Sequence, residues 1–354
     1  MNGLPSIYGL GHDPETATVH VLSVPWEATT SYGRGTAHGP AAVIRESVQV
    51  DLFDLVLAEL GRRRPSELVP PGEPHEAGIA ALAVDPTWQS WSEEASRLAR
   101  TVIADYEAGQ PRDVSDPTLA RVNELTQKLD RGVADAVRAA EDAGRFVALL
   151  GGDHAVAYGS ILARAERYPR LGVLQFDAHA DLRVAYQGFV GSHASVMHRV
   201  LADIPAVDKL VSVGVRDLCR EEYAAIEAAG SRVVAFLDRD RVSHAHAGRP
   251  FDDFVARVVE ALPENVYVSF DIDGLDPRFC PHTGTPVPGG LSFDEAVAIV
   301  VAVVASGRRI VGCDLVEVAP GEGDDTWDAN VGARLLYKLI GCALVSPAPH
   351  VRRP

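Results

Sequence analysis

Short apolar, β-branched runs alternate along this chain with longer amphipathic stretches. The runs are HVLSVP (20–25), RFVALL (145–150), GVLQF (172–176), KLVSVGV (209–215), RVVAFL (232–237), NVYVSF (265–270) and RIVGCDLVEV (309–318). Nearly continuous apolar character with β-branched residues reads as strands buried on both faces. Between most of them lie EEYAAIEAAG (221–230), FDDFVARVVEAL (251–262) and SFDEAVAIVVAVVASG (292–307), whose spacing reads as helices. Strand, helix, strand in repetition implies right-handed crossovers and a mostly parallel α/β sheet with both faces covered.

Residues 61–143 break that rhythm. The segment opens polar and rich in Pro and Gly, GRRRPSELVPPGEPHEAG, and offers no apolar run that reads as a strand. Trp91, Ala95, Leu98, Val102 and Tyr106 then follow helical spacing behind a capping box at Ser90 and Glu93. A second helix is predicted from Pro117, with Leu119, Val122, Leu129, Val133 and Val137 on one stripe. The segment is short for a core of its own, so it is read as a helical insertion within a single domain of residues 1–354, with a separate helical module as the alternative.

Composition narrows the function. The chain is 47% hydrophobic and 23% charged, which suits a globular protein with a sizeable core. Its net charge of -16 repels nucleic acid and anionic membranes and favours cationic small molecules, besides aiding solubility. Cys219, Cys280, Cys313 and Cys342 form no C-x-x-C pair, which argues against a zinc ribbon or disulfide framework and fits a reducing cytoplasm. The N-terminal MNGLPSIYGLGHDPE lacks a basic segment followed by an apolar one, and no apolar stretch approaches the ~18–20 residues that span a bilayer. Neither export nor membrane insertion is expected.

Polar signatures follow three of the predicted strands, at the strand ends where parallel α/β sheets place their ligands. They are GGDH (151–154), DAHAD (177–181) and DIDGLDP (271–277). Alternating residues at this strand end, Asp177, His179 and Asp181, point to one side with a period of two and converge on one small volume, and Asp271 and Asp273 repeat that geometry from another strand. Carboxylates converging on one point repel each other unless cations lie among them. His154 and His179 are neutral ligands, and Asp177, Asp181, Asp271 and Asp273 bring four charges that two divalent ions would neutralise. A single four-coordinate zinc would leave two of the six ligands unused. Oxygen and imidazole ligation without thiolate suits Mn(II) first, then Ni, Fe, Co or Zn. Two ions about 3.5–4 Å apart can bridge one water and make hydroxide available as a nucleophile near neutral pH.

Together with SYGRGTAHGPAAVIRES (31–47), SHASVMHR (192–199), the TGTP stretch in SFDIDGLDPRFCPHTGTPVPGGLS (269–292) and GCDLVEVAP (312–320), these motifs resemble the ureohydrolases, the family of arginases and agmatinases. The resemblance covers most of the chain. It implies a three-layer α/β/α fold on an eight-stranded parallel sheet, two Mn2+ per subunit and a trimeric or hexameric homo-oligomer. One metal would take His154, Asp177, Asp181 and Asp271, and the other Asp177, His179, Asp271 and Asp273. His193 matches the family's proton shuttle, and Glu317 the carboxylate that holds the guanidinium. The implied reaction is attack of hydroxide on the guanidinium carbon with release of urea and an amine.

Trp26, Glu27, Ala194, His282 and Ala319 depart from the family pattern, and Trp26 and His282 are candidates for lining the mouth of the site. His244 and His246 read as loop residues rather than ligands. The polar Ser-Gly-Asn loop expected of an arginine-specific enzyme is missing from GFVGSH (188–193), which favours a cationic, agmatine-like guanidino substrate. A guanidino acid, free guanidine or a guanidinylated secondary metabolite is the alternative with the same chemistry. A one-zinc deacetylase of related fold is disfavoured by the TGTP stretch, the six ligands and Glu317. A metal-binding scaffold without turnover has no need of His193 and Glu317.

Overall fold

The computed structural model describes residues 6–347, so the first five residues of the N-terminal segment lie outside it. The seven apolar runs form strands: β1 (Val19–Val24), β3 (Phe146–Gly151), β4 (Leu171–Phe176), β5 (Val207–Val213), β6 (Val233–Phe236), β7 (Asn265–Asp271) and β8 (Arg309–Val316). An eighth, β2 (Ile79–Ala81), lies inside the segment expected to be purely helical. It pairs in parallel with β1 through Val19 and Ile79. Three residues at a sheet edge are too few to display a period, which is why no strand is expected there from the residue pattern. The eight parallel strands follow the order β2-β1-β3-β8-β7-β4-β5-β6.

Eleven α-helices occur among the described residues: α1 (Gly39–Glu46), α2 (Leu55–Arg63), α3 (Pro86–Glu107), α4 (Pro117–Asp142), α5 (Ala157–Arg167), α6 (Val196–Asp203), α7 (Arg220–Ala229), α8 (Asp238–His246), α9 (Phe251–Ala261), α10 (Phe293–Ala305) and α11 (Trp327–Val345). One core joins α1, α9, α10 and α11 to one face of the sheet, and two others join α3, α4, α5 and α6 to the opposite face. The result is a three-layer α/β/α fold.

Two helix starts explain themselves chemically. α3 begins at Pro86 behind Asp85, whose carboxylate accepts the Thr87 N–H. Asp-Pro is the stronger start, so Ser90 and Glu93 fall inside the helix rather than capping it. Its inner face accordingly carries Trp88, Ala95, Ala99 and Val102, while Tyr106 is exposed. In α4 the Asp116 carboxylate accepts N–H bonds from Thr118 and Leu119. Leu119, Val122, Leu125, Leu129, Val133 and Val137 are all buried. At about 1.5–3 kcal/mol for each such side chain, this stripe contributes on the order of 10 kcal/mol of gross burial free energy. His244 and His246 lie on α8, not in a loop, and the buried His244 ring is bonded to the Pro250 carbonyl.

β3 and β4 are consecutive in sequence yet lie on either side of β8 and β7. Such a reversal leaves a crevice at the carboxyl ends of the central strands, and that is where the polar signatures meet.

Candidate metal centre and active site

β3 leads through Gly151 and Gly152 to a short 3-10 turn, His154–Val156, capped by Asp153. A side chain at residue 152 would collide with the Trp26 carbonyl, its Cβ only 1.9 Å from that oxygen, so glycine alone lets the loops after β1 and β3 meet. The His154 ring donates from Nε2 to Ser269 Oγ at 2.9 Å, because the Ser269 hydroxyl lies 3.0–3.1 Å from both oxygens of buried Asp314 and gives its proton there. That chain fixes the tautomer and leaves Nδ1 with a bare lone pair. Nδ1 is buried and makes no hydrogen bond among the described residues, although oxygens of Asp181, Asp177 and Asp271 lie 3.0, 3.1 and 3.4 Å away. Three carboxylates at such distances call for a cation among them, either a proton, for which burial is outweighed by Asp177, Asp181 and Asp271 so that the ring's pKa lies well above its ordinary value, or a shared metal ion.

The second group is Asp177, His179 and Asp273. His179 Nδ1 stands 3.1 Å from Asp273 Oδ2 and 3.5 Å from Asp177 Oδ1. Asp177 thus turns one oxygen toward His154 and the other toward His179. In each set, His154 with Asp177 and Asp181, and Asp177 with His179 and Asp273, the ligand atoms lie within 4.8 Å of one another. Asp271 joins the first set through its contact with His154. The donors therefore fit a pair of divalent ions with Asp177 between them.

Convergence arises differently from the expected strand alternation. β4 stops at Phe176, and Asp181 has a left-handed backbone with φ 53°. The segment turns, with the His179 N–H donating to Asp177 Oδ1 and the Ala178 N–H to Asp273 Oδ1. Asp271 ends β7, and its carboxylate accepts the Asp273 N–H across another 3-10 turn.

The protein's own charges put the cluster under strain. Burial and the Asp177 carboxylate push Asp181 up to about 7, and burial pushes Asp271 well above the usual carboxylate range. Burial opposes a charged His179 ring, but Asp273 and Asp177 outweigh it and carry that ring up to about 12. Imidazoles are thus standing in for missing positive charge, the role metal ions fill in such a site.

Glu317 follows β8 directly and also takes a left-handed backbone, φ 61°. Its N–H donates to the Gly152 carbonyl and its Oε1 accepts the His154 N–H at 2.8 Å. It is buried beside the cluster and pairs with no Arg, Lys or His among the described residues. Burial, then the Asp153 carboxylate, raise its pKa well above the ordinary value. His193 sits opposite, its Nδ1 3.1 Å from Thr29 Oγ1 and its ring edge-on to Tyr186. Burial, then the charged His179 ring, hold it down to about 4, so it is neutral at physiological pH.

A cavity of about 250 Å³ opens above these groups, reaching His154, His179, Asp181, Asp271, Glu317 and His193. Toward solvent it is lined by Tyr32, Arg183, Tyr186 and Asp217, with the buried Glu222 carboxylate, held by the Leu182 and Cys219 N–H groups, behind them. Trp26 is not at this mouth: its side chain is 1% exposed, packed in the core beneath α3 and α4. An indole following an apolar run was drawn into the nearest apolar core. His282 is also turned aside, its Nδ1 bonded to Asp328 Oδ2 at 2.8 Å, so it ties its loop to α11.

Sequence reasoning missed a polar row. Ser212, Gln175, Ser269 and Asp314 are register partners across β5, β4, β7 and β8. The Ser212 hydroxyl donates to Gln175, whose amide donates to Asp177 Oδ2 at 2.8 Å, while Asp314 acts on His154 through Ser269. The signal was present: each is the lone polar residue in an apolar strand core, where an unpaired polar group is costly. Thr29, which contacts His193, carried no such signal.

The arginase family model matches residues 75–342. The chain belongs to the arginase family. It is 32% identical over 329 residues to N(1)-aminopropylagmatine ureohydrolase of Thermus thermophilus, covering 92% of this chain and 90% of that one. The agmatinase of Bacillus anthracis is 36% identical over 183 residues, 51% of this chain and 57% of that one. Among solved structures, the agmatine ureohydrolase of Thermoplasma volcanium superposes with a TM-score of 0.69 over 97% of this chain and 95% of that one, at 22% identity, a likeness of fold. The eight-stranded parallel sheet fits membership in the arginase family.

Proposed function

We propose that this enzyme hydrolyses the guanidino group of a cationic amine of the agmatine type, including N-extended agmatines, to urea and the free amine. As an arginase-family ureohydrolase it acts on C–N bonds of linear amidines. The observation that carries the reading is Glu317: a buried carboxylate on the cavity wall with no cationic partner among the described residues. A planar guanidinium is its complement, able to donate two parallel N–H bonds.

The residues divide the work. Divalent ions held by His154, Asp177, His179, Asp181, Asp271 and Asp273 would supply Lewis acidity and bring the pKa of water toward neutrality. Glu317 holds the guanidinium carbon over that cluster. Neutral His193, its Nδ1 engaged by Thr29, presents a ring able to take a proton and return it to the departing amine nitrogen. At the rim, Tyr32 and Tyr186 offer faces to a methylene chain and Asp217 a carboxylate to a distal ammonium. Arg183 is engaged by the Tyr186 ring, 4.9 Å away, and by Glu222 at 3.7 Å. It is also what would favour the second reading, a guanidino acid whose carboxylate displaces Glu222.

Oxygen and imidazole donors support Mn(II) as the metal, with Ni(II) next. Four free thiols are consistent with a reducing cytoplasm, and no helix among the described residues is long and apolar enough to cross a membrane. A trimeric or hexameric homo-oligomer completes the proposal. Urea release from metal-loaded enzyme is the test, with agmatine, N1-aminopropylagmatine, arginine, 4-guanidinobutyrate and guanidine as substrates. Highest kcat/KM for one of the two agmatines is expected. A preference for 4-guanidinobutyrate transfers the assignment to the guanidino-acid reading, and no urea from any of them overturns the function.

A further inference from the structure

One stripe of α4, Leu119, Asn123, Thr126 and Asp130, has the four-three-four spacing of a single helix face. Its partners follow in the same order along the segment that carries His193. A Cβ on Gly188 would lie 3.0 Å from Leu119 Cδ2, the Val190 N–H donates to Asn123 Oδ1 at 3.1 Å, and a Cβ on Gly191 would lie 2.6 Å from Thr126 Cγ2. Asp130 then makes a buried ion pair with Arg199, whose guanidinium lies over the Tyr158 ring at 3.9 Å. Phe189 is buried among Leu119, Val122 and Leu125 of the same helix. The segment is thereby laid along the helix residue by residue. Gly191 is required because any side chain would lift the chain off Thr126 just before Ser192 and His193.

We propose that α4 is the template that positions His193, and that Asn123 is a positioning residue for proton transfer through its bond to Val190. This rests on the role of His193 given above. Asn123 lies on a different element from the metal ligands, so its removal leaves the metal centre intact and displaces only the loop. Displacement of a reacting group by a fraction of an ångström lowers turnover without weakening substrate binding to the same degree.

The test compares Asn123→Ala, Asn123→Asp, which keeps the acceptor, and Gln127→Ala on the exposed side of α4, in the full-length metal-loaded enzyme. Hydrogen–deuterium exchange of residues 184–196 and steady-state urea release are measured together with metal content. Expected for Asn123→Ala are faster exchange confined to that segment and kcat lower by about five- to tenfold, as loss of one hydrogen bond implies. KM and metal content stay unchanged, and Asn123→Asp and Gln127→Ala behave as wild type. Unchanged exchange, or faster exchange with unchanged kcat, overturns the inference while wild type remains active. A wild type that releases no urea overturns the functional reading itself.

Discussion

The floor and the rim of the cavity are held by different physics. On the floor, Asp177 receives hydrogen bonds from Gln175 and the His179 N–H, Asp271 from the Asp273 N–H, and His154 is fixed through Ser269 by Asp314. Of these supports, Gln175, Ser269 and Asp314 stand on central strands paired on both sides. On the rim, Tyr32 is 82% exposed, Asp217 has no charged partner among the described residues, and Arg183 is engaged by a cation–π contact and a 3.7 Å ion pair. Buried charges leave the floor intolerant of change, since an orphaned charge there costs several kcal/mol. Solvated rim contacts are worth about 0–1 kcal/mol each and are free to vary. Chemistry fixed at the floor and choice exercised at the rim is the division that follows.

Asp177→Asn should have the largest effect, because its two oxygens serve both ligand sets. Metal analysis is expected to find substantial loss of both ions, with urea release at background. Retention of two ions per chain would show that Asp177 is not shared by the two ligand sets. Ser269→Ala probes the support beneath the floor: breaking the link from Asp314 to His154 should weaken metal binding roughly 10–100-fold while leaving the fold intact, read by competition with a chelator. Unchanged affinity would mean that the polar row is structural only.

At the rim, Asp217→Asn should raise KM for agmatine about two- to fivefold at constant kcat, in keeping with an exposed charge contact. A drop in kcat with KM unchanged would move Asp217 into the catalytic machinery. The smallest effect is expected at His282, whose pKa Asp328 raises by hydrogen bonding. A raised histidine pKa stabilises fully below the ordinary value of about 6.5 and loses that contribution as pH climbs through the raised value. Thermal melts of His282→Ala should therefore differ from wild type most in acid and least in alkali. A gap that widens with pH would contradict the ion pair.

The same division sets what the sequence discloses. The ligands were legible because carboxylates and imidazoles after apolar strands have few structural reasons to be there, and seven of the eight strands announced themselves as apolar runs. Their convergence was inferred from a wrong geometry: the turn at Asp181 depends on a left-handed residue that no spacing encodes. Gln175, Ser212, Ser269 and Asp314 were readable in principle, as isolated polar positions inside strands. β2 was not, being three residues long, and neither were Trp26 and His282, whose directions were settled by a neighbouring core and by Asp328. The contact of α4 with the His193 loop joins residues more than sixty positions apart, which periodicity cannot reach.

The central claim is that an unpartnered carboxylate over a two-metal floor selects a guanidinium. Its most direct test is kcat/KM for urea release by Glu317→Gln, measured beside wild type at equal metal content. A loss on the order of 10²–10³-fold with both ions retained is predicted, since Gln keeps the shape and discards the charge. Activity within a few-fold of wild type would contradict the account.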